Sequence, residues 1–151
     1  QPLRDKYIEK FRFVNTSDLT QADLDVKSHK FCAVILDDID SEPDPKTRRR
    51  VQLFRDQLLQ TARHYSVRVI LTSHRFNSYQ ETSKMRNSSL YIGIFARSIQ
   101  HTLIQILNKE YNYSMADADR LTQLCKRDGR LTTIRRQHPV ALITPKRVIL
   151  L

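Results

Sequence analysis

Residues 31–40, FCAVILDDID, constrain the fold of this chain more than any other stretch. The first six are mostly apolar and run without a polar break, and the acids Asp37, Asp38 and Asp40 follow. Such a run, with Val and Ile in it, is typical of a strand buried on both faces of a parallel sheet. Ligands of open α/β sheets bind just beyond the carboxyl ends of such strands. The acids therefore mark a candidate ligand site, and the alternative is an acidic, solvated turn.

A helix is predicted directly after the acids. Asp44 followed by Pro45 is a helix-start signal, because it combines a capping acid with proline at the first helical position. Apolar residues then recur at helical spacing and predict an amphipathic helix over residues 46–64, at Val51, Phe54, Leu58 and Ala62. The opposite face carries three consecutive arginines that either remain solvated or contact DNA phosphates or a neighbouring subunit, Arg48, Arg49 and Arg50.

Residues 67–72, VRVILT, predict a second strand, so the chain contains a strand–helix–strand unit. The crossover of such a unit places the two strand ends side by side. We therefore expect Asp37, Asp38 and His74 to converge at one edge of the sheet. Carboxylates at that edge suit Mg²⁺, which takes one or two of them and completes its shell with water and phosphate oxygens.

The remainder of the chain predicts alternating helices and strands. We expect a loosely defined lead-in over residues 1–30, with a strand at 7–14 and a helix cap at 16–18. Later elements are a third buried strand at 90–95, a helix to about Asn108, a helix from a capping box at Ser114 and Asp117 to Gly129, and two short strands at 131–135 and 140–150 with Pro145 in the turn.

The net charge and the cysteine content limit the classes of protein to which this chain can belong. The 151 residues suit one domain, and their net charge of +10 is uneven. Residues 76–151 hold 12 Lys and Arg against 5 Asp and Glu, a net charge of +7. A basic half is typical of nucleic-acid binding, although a merely basic surface is the alternative. Cys32 and Cys125 are predicted core residues of an intracellular protein, and no apolar run reaches membrane length.

The low glycine content excludes a glycine-rich phosphate-binding loop from this sequence. The chain has only two glycines, Gly93 and Gly129. A phosphate-binding loop of the form GxxxxGK[ST] needs two glycines at a fixed spacing before its lysine, and the sequence contains no such pattern.

Three segments in order, AVILDDID, LFRDQLLQTARHYSVRVILTSHRF and KMRNSSLYIGIF, resemble the genome-packaging ATPases of large double-stranded DNA viruses. These are poxvirus-type members of the FtsK–HerA branch of P-loop ATPases. The resemblance covers residues 31–97, and residues 98–151 match the closing segment more loosely. It implies one α/β domain with a three-layer P-loop NTPase-like core and a mainly parallel sheet, ending in a small basic helix-plus-hairpin segment.

The resemblance assigns roles to the acids and to His74. It makes AVILDDID the Walker B strand, in which Asp37 would hold Mg²⁺ and Asp38 would orient the attacking water. His74 would be the sensor at the end of the next strand, where the family usually has glutamine. Phosphoryl transfer needs such positioning and charge neutralisation rather than covalent chemistry from the protein.

The resemblance also singles out two arginines. Arg63, with His64, matches a motif at the end of the helix after Walker B, and a helix-end ion pair is the alternative. Arg86, with Asn87, matches an RxN-like element and would reach a phosphate, across a subunit interface. A solvated loop arginine is the alternative for Arg86.

The Walker A loop of that family is missing from this sequence, so we expect the chain to be the carboxyl-terminal part of a longer ATPase, nearly inert alone, rather than a degenerate relative. The implied function is translocation of double-stranded DNA into a capsid, driven by ATP and Mg²⁺, in the host cytoplasm or the virion. The implied partners are a homo-oligomeric ring and a capsid portal or membrane vertex. Further DNA-binding candidates are Lys126, Arg127, Arg130, Arg135 and Arg136.

Two other functions stay open at this point. The chain could be a non-catalytic, basic nucleic-acid-binding module in which the acids are inert. It could also be part of a cellular DNA translocase of the same superfamily, with the same chemistry and a different cargo. A metal-dependent nuclease is less expected, because no second acidic cluster accompanies DDID.

Overall fold

The structure is a computed structural model that describes residues 12–73, 83–95 and 100–151. The chain divides into two compact units, Gln1–His74 and Arg75–Leu151, and each is described by itself. The predicted strand at 7–14 lies largely outside the described residues. Both units mix helices with strands, so the α/β class is confirmed.

The first unit contains the predicted strand–helix–strand arrangement. Strand β1 is Ala33–Leu36, helix α1 is Pro45–Thr61 and strand β2 is Arg68–Leu71. The two strands pair in parallel, with Ala33 opposite Arg68 at the beginning of the ladder. Short 3₁₀ turns lie at Thr16–Asp18, Val26–His29, Ile39–Ser41 and Ala62–Tyr65.

Helix α1 begins where the sequence predicts. The Asp44 carboxylate accepts hydrogen bonds from the backbone N–H groups of Lys46 (3.4 Å) and Thr47 (2.8 Å), and Pro45 occupies the first turn. The hydrogen bonds from Thr47 lower the pKa of Asp44 below its ordinary value, because they favour the charged carboxylate. The contribution of this cap to stability is therefore lost when acid protonates Asp44.

The core of the first unit lies between α1 and one face of the parallel pair. Phe54 and Leu58 of α1 are buried there, and the partly buried Val34 and Val69 of the strands pack against them. The other face of the pair is open, since Ile35 and Ile70 are each about half exposed, at 52 % and 51 %. The prediction that this strand is buried on both faces is therefore wrong, and so is the prediction of a buried Cys32, which is exposed.

The second unit is an antiparallel sheet with helices on one face. Its sheet has the order β3-β4-β5-β6, and all three pairings are antiparallel. Its elements are α2 Ser83–Ser88, β3 Tyr91–Phe95, α3 Gln100–Tyr111, α4 Met115–Asp128, β4 Leu131–Arg135, β5 Ala141–Ile143 and β6 Val148–Leu150. Its core contains inward residues of the sheet and apolar residues of α3 and α4, including Ile92, Ile134, Ile106, Leu107 and Cys125.

The sheet differs from the predicted mainly parallel one. Among the described strands only β1 and β2 pair in parallel, and the predicted third strand, β3, pairs antiparallel with β4. It is buried on one face only, because Ile92 and Ile94 point inward while Tyr91 and Phe95 are exposed. A short apolar run predicts a strand but carries no information about its partner, which depends on contacts distant in sequence.

The helix–strand junction after α4 depends on a close approach of Gly129 to Pro145. A Cβ at Gly129 would lie 2.7 Å from Pro145 Cγ, whereas a Cβ at Gly93 would lie no closer than 3.5 Å from Leu131 Cδ1. We expect Gly129→Ala to lower the free energy of unfolding by about 1–3 kcal/mol through overpacking. Gly93→Ala is the matched control and should change it by less than about 0.5 kcal/mol in urea denaturation. Equal effects of the two substitutions would contradict the assigned contact.

Within residues 12–73, 83–95 and 100–151, no helix is both long enough and apolar enough to span a bilayer.

Candidate functional site

The carboxyl ends of β1 and β2 lie next to each other, because the strands are parallel and in register. Leu36 is opposite Leu71, and the Thr72 N–H donates to the Leu36 carbonyl at 3.0 Å. The Thr72 hydroxyl donates to Asp37 Oδ1 and accepts the backbone N–H of Asp38 at 3.1 Å. The chain therefore brings the first two acids and the end of the second strand together, as the strand–helix–strand pattern predicts.

Asp38 begins a tight turn beyond the strand. Its backbone is left-handed, with φ 44° and ψ 42°, a conformation that aspartate adopts more readily than most residues. The Ser41 hydroxyl donates to Asp38 Oδ2 at 2.5 Å, across the 3₁₀ turn that follows. The turn therefore holds the Asp38 carboxylate close to the strand end, while Asp37 is exposed.

Asp40 is tied to the helix and to the second strand. Gln52 Nε2 donates to its Oδ1 at 3.3 Å, and Arg55 Nη1 lies 3.7 Å from the same atom. The Ser73 hydroxyl donates to Asp40 Oδ2 at 3.3 Å. Asp40 therefore connects the β1 turn to α1 and to the end of β2.

The oxygen ligands at this strand end suit Mg²⁺ that is bound together with a phosphate, but not a metal held by protein side chains alone. Carboxylate and hydroxyl oxygens are the ligands of Mg²⁺, which needs one or two carboxylates when a phosphate supplies further oxygens. Across residues 12–73, 83–95 and 100–151, no group of three or more His, Cys, Asp or Glu side chains could hold a metal by itself. The residues thus fit Mg²⁺ carried by a phosphate ligand, through Asp37, and do not form a closed metal site.

Arg63 lies at the opposite end of the parallel pair from these acids. It belongs to the Ala62–Tyr65 turn that precedes β2, and the Phe31 N–H at the start of β1 donates to the Tyr65 carbonyl at 3.2 Å. A four-residue strand is about 13 Å long, so the length of β2 separates the turn from Thr72. Arg63 is exposed, and the described part of a single chain does not bring it to Asp37.

Arg86 is buried inside the second unit. Its side chain is only 2 % exposed, and its Nε donates to Glu110 Oε1 at 2.8 Å. Arg136 joins the same network, because its Nη2 lies 3.3 Å from Glu110 Oε2 and its Nη1 donates to the Arg86 carbonyl. The phosphate role of Arg86 stays a prediction. The network of Arg86, Glu110 and Arg136 connects α2, α3 and the end of β4.

The DNA-binding candidates are distributed over both units and, within the second unit, over both ends of β4. Arg49 and Arg50 are exposed at the beginning of α1, whereas Arg48 is half-buried and donates to the Glu42 carbonyl at 3.2 Å. In the second unit, Lys126 and Arg127 lie in the last turn of α4, and Arg130 directly precedes β4. Arg135 lies at the other end of β4 and donates through two nitrogens to the Pro139 carbonyl.

Sequence reasoning missed Thr72 and Glu110 as partners of predicted site residues. Thr72 could have been found from its place directly after the apolar run of β2, since that run pairs with β1. Nothing in the sequence near Glu110 signals that it binds Arg86, 24 residues earlier. The predicted sensor, His74, lies outside the described residues.

No protein-family model, curated protein or solved structure matches the chain.

Proposed function

We propose that this chain forms the Walker B part of an ATPase that translocates double-stranded DNA, of the kind that packages viral genomes. The supporting observation is the pair Asp37 and Asp38 at the carboxyl end of β1, bonded to Thr72 at the end of the parallel neighbour β2. Within the proposal, the three-layer P-loop core is completed by a segment that supplies the phosphate-binding loop.

The chain's own residues would divide the work at this site. Asp37 would hold Mg²⁺, and the Thr72 hydroxyl would orient its carboxylate by donating to Oδ1. Asp38 would accept a hydrogen bond from the attacking water and so orient it toward the phosphate. When bound, Mg²⁺ neutralises charge on the phosphates. Asp40 is already paired with Arg55, so it would stabilise the turn after β1 rather than bind the metal.

The remaining parts of the proposal concern assembly and DNA. A ring of identical subunits would bring an arginine of one copy to the nucleotide of the next, and such an arginine is typically worth about 10³–10⁵ in turnover. Arg63 is the better candidate for that role than Arg86, because it is exposed. The exposed Arg49 and Arg50 would face DNA phosphates, and a capsid portal or membrane vertex would be the docking partner.

The test is ATP hydrolysis by the full-length protein, with Mg²⁺ and duplex DNA, in the wild type and in Asp37→Asn. Hydrolysis should fall by about 100-fold or more, since even outer partners of metal ligands are worth about 10- to 100-fold. Asp18→Asn is the matched control, because Asp18 is exposed and bonds to its neighbour Ser17. Unchanged turnover in Asp37→Asn, or a wild type without hydrolysis, would rule out the proposed function.

A second candidate is a basic nucleic-acid-binding module without catalysis, and the net charge of +7 over residues 76–151 favours it. Such a module would bind duplex DNA equally well with and without ATP, and its affinity would fall steeply as salt rises. A cellular translocase of the same superfamily would share the chemistry of the first candidate and move a different DNA.

A further inference from the structure

The outer face of the antiparallel sheet in the second unit is largely apolar and is exposed along β3. In register, Tyr91 lies opposite Arg135, and Phe95 lies opposite Leu131, so all four side chains are on the face that α3 and α4 do not cover. Tyr91 is 56 % exposed and Phe95 is 64 % exposed. Two aromatic rings therefore present their surfaces to solvent along one edge strand.

The charge of this face is positive. The four strands contain no acidic residue, and Arg135 is their single charged residue. The guanidinium of Arg135 donates to a backbone carbonyl, that of Pro139, and this contact does not neutralise its charge. Arg147, on the nearby β5–β6 turn, differs because it is paired with the Asp128 carboxylate at 2.6 Å. Among the described residues no carboxylate pairs with Arg135, so a polyanion would meet a cation beside the aromatic rings.

From these observations we propose that the outer face of this sheet binds single-stranded nucleic acid, with bases stacked on Tyr91 and Phe95. Residues four apart in a strand are about 13 Å apart, so each ring would take a different base of the same strand. Arg135 would pair with a phosphate near the base on Tyr91. Exposed aromatic rings on a sheet next to positive charge are a recurring way of holding unpaired bases.

A second copy of the chain is a weaker candidate for this face. Two copies joined through it would bring their Arg135 side chains into one interface without an acid from any of the strands. A single nucleic-acid strand instead offers flat apolar bases to the rings and negative phosphates to the arginine. The proposal uses residues of the second unit only and does not rest on the ATPase proposal.

The experiment measures binding of a labelled single strand of about ten nucleotides by fluorescence anisotropy, at two salt concentrations. The comparison strands are a duplex of the same sequence and an abasic strand with the same number of phosphates. We expect the single strand to bind tightest and the abasic strand to bind at least about tenfold more weakly, because stacking is lost.

Variants separate stacking from a merely apolar contact. Tyr91→Leu combined with Phe95→Leu keeps apolar bulk but removes both ring planes, and it should weaken binding by about tenfold or more. Tyr91→Phe keeps the ring and should bind like the wild type. Leu150→Ala, on the other edge strand, is the matched control, because Leu150 is also 64 % exposed.

Three results would each overturn the proposal. They are equal binding of the abasic strand, unchanged affinity in the double leucine variant, and no binding of the single strand. Self-association that is lost in Tyr91→Ser combined with Phe95→Ser, in a protein that does not bind the strand, would assign the face to a second copy instead. Asp37→Asn should bind the strand like the wild type, so failure of the ATPase proposal would leave this result unchanged.

Discussion

Replacing Glu110 with glutamine is expected to lower the stability of the second unit by about 3 kcal/mol or more. The carboxylate of Glu110 contacts two arginines, Arg86 at 2.8 Å and Arg136 at 3.3 Å. Glutamine keeps an oxygen acceptor but removes the negative charge. Two guanidinium groups would then share one site, and that of Arg86 is only 2 % exposed to water.

Removing Arg86 instead should cost less. In Arg86→Met the carboxylate of Glu110 keeps Arg136 as an ion partner, so no buried charge is left without a counter-charge. The double variant should be more stable than the sum of the two single effects predicts, by about 0.5–3 kcal/mol, because the first substitution already removes the pair.

Hydrogen exchange of the backbone amides of Ile92 and Ile134 is the suitable measurement, since the two residues lie opposite each other in the β3–β4 pairing. Protection should fall most in Glu110→Gln and less in Arg86→Met. The reverse order would contradict the assigned network. The same variants bear on function: an Arg86→Met protein that remains folded and loses hydrolysis would support the predicted phosphate role of Arg86.

Leu58→Ala is expected to destabilise the first unit by about 2–5 kcal/mol, the usual cost of a cavity at a fully buried leucine. Leu58 is 0 % exposed and lies in the core cluster with Phe54, Ala62 and Val67. Alanine would remove the side-chain atoms that fill the space between α1 and its neighbours, and the neighbours can close that space only in part.

Leu53→Ala is a control on the same helix with the same chemical change. Leu53 is 59 % exposed, so its substitution should alter stability by no more than about 0.5 kcal/mol. Hydrogen exchange of the amides of Val34 and Val69 in the parallel pair reports on this unit. Equal losses in the two variants would mean that another surface covers Leu53, and would contradict the exposure of that face.

Helices α1, α3 and α4 could be predicted closely from the sequence, because their signals are local, whereas the short helix α2 was not predicted. The cap at Asp44, the apolar spacing from Val51 to Leu58 and the capping box at Ser114 all act within one or two turns of the backbone. The strands at Ala33–Leu36 and Arg68–Leu71 were also predicted, together with their parallel pairing. This pairing follows from chain topology, since a helix between two strands of one sheet returns the chain in the same direction.

The candidate site could be predicted in outline for the same reason. Two acids after one strand and polar residues after its parallel neighbour must meet at one edge. The particular partner, the Thr72 hydroxyl, and the connection of Asp40 to Arg55 and Ser73 depend on side-chain reach across the edge. Sequence spacing carries no information about that reach.

The sequence by itself determined the positions of α1, α3 and α4 and of the strands, but not the short helix α2, and it placed the acids at the end of β1. Only the tertiary structure decided that β3 joins an antiparallel sheet, that Arg86 is buried on Glu110, and that Ile35 and Tyr91 remain exposed. The physical reason is that hydrophobic spacing and caps act over a few residues. Strand partners, buried ion pairs and the choice of covered face depend on contacts between residues far apart in the chain.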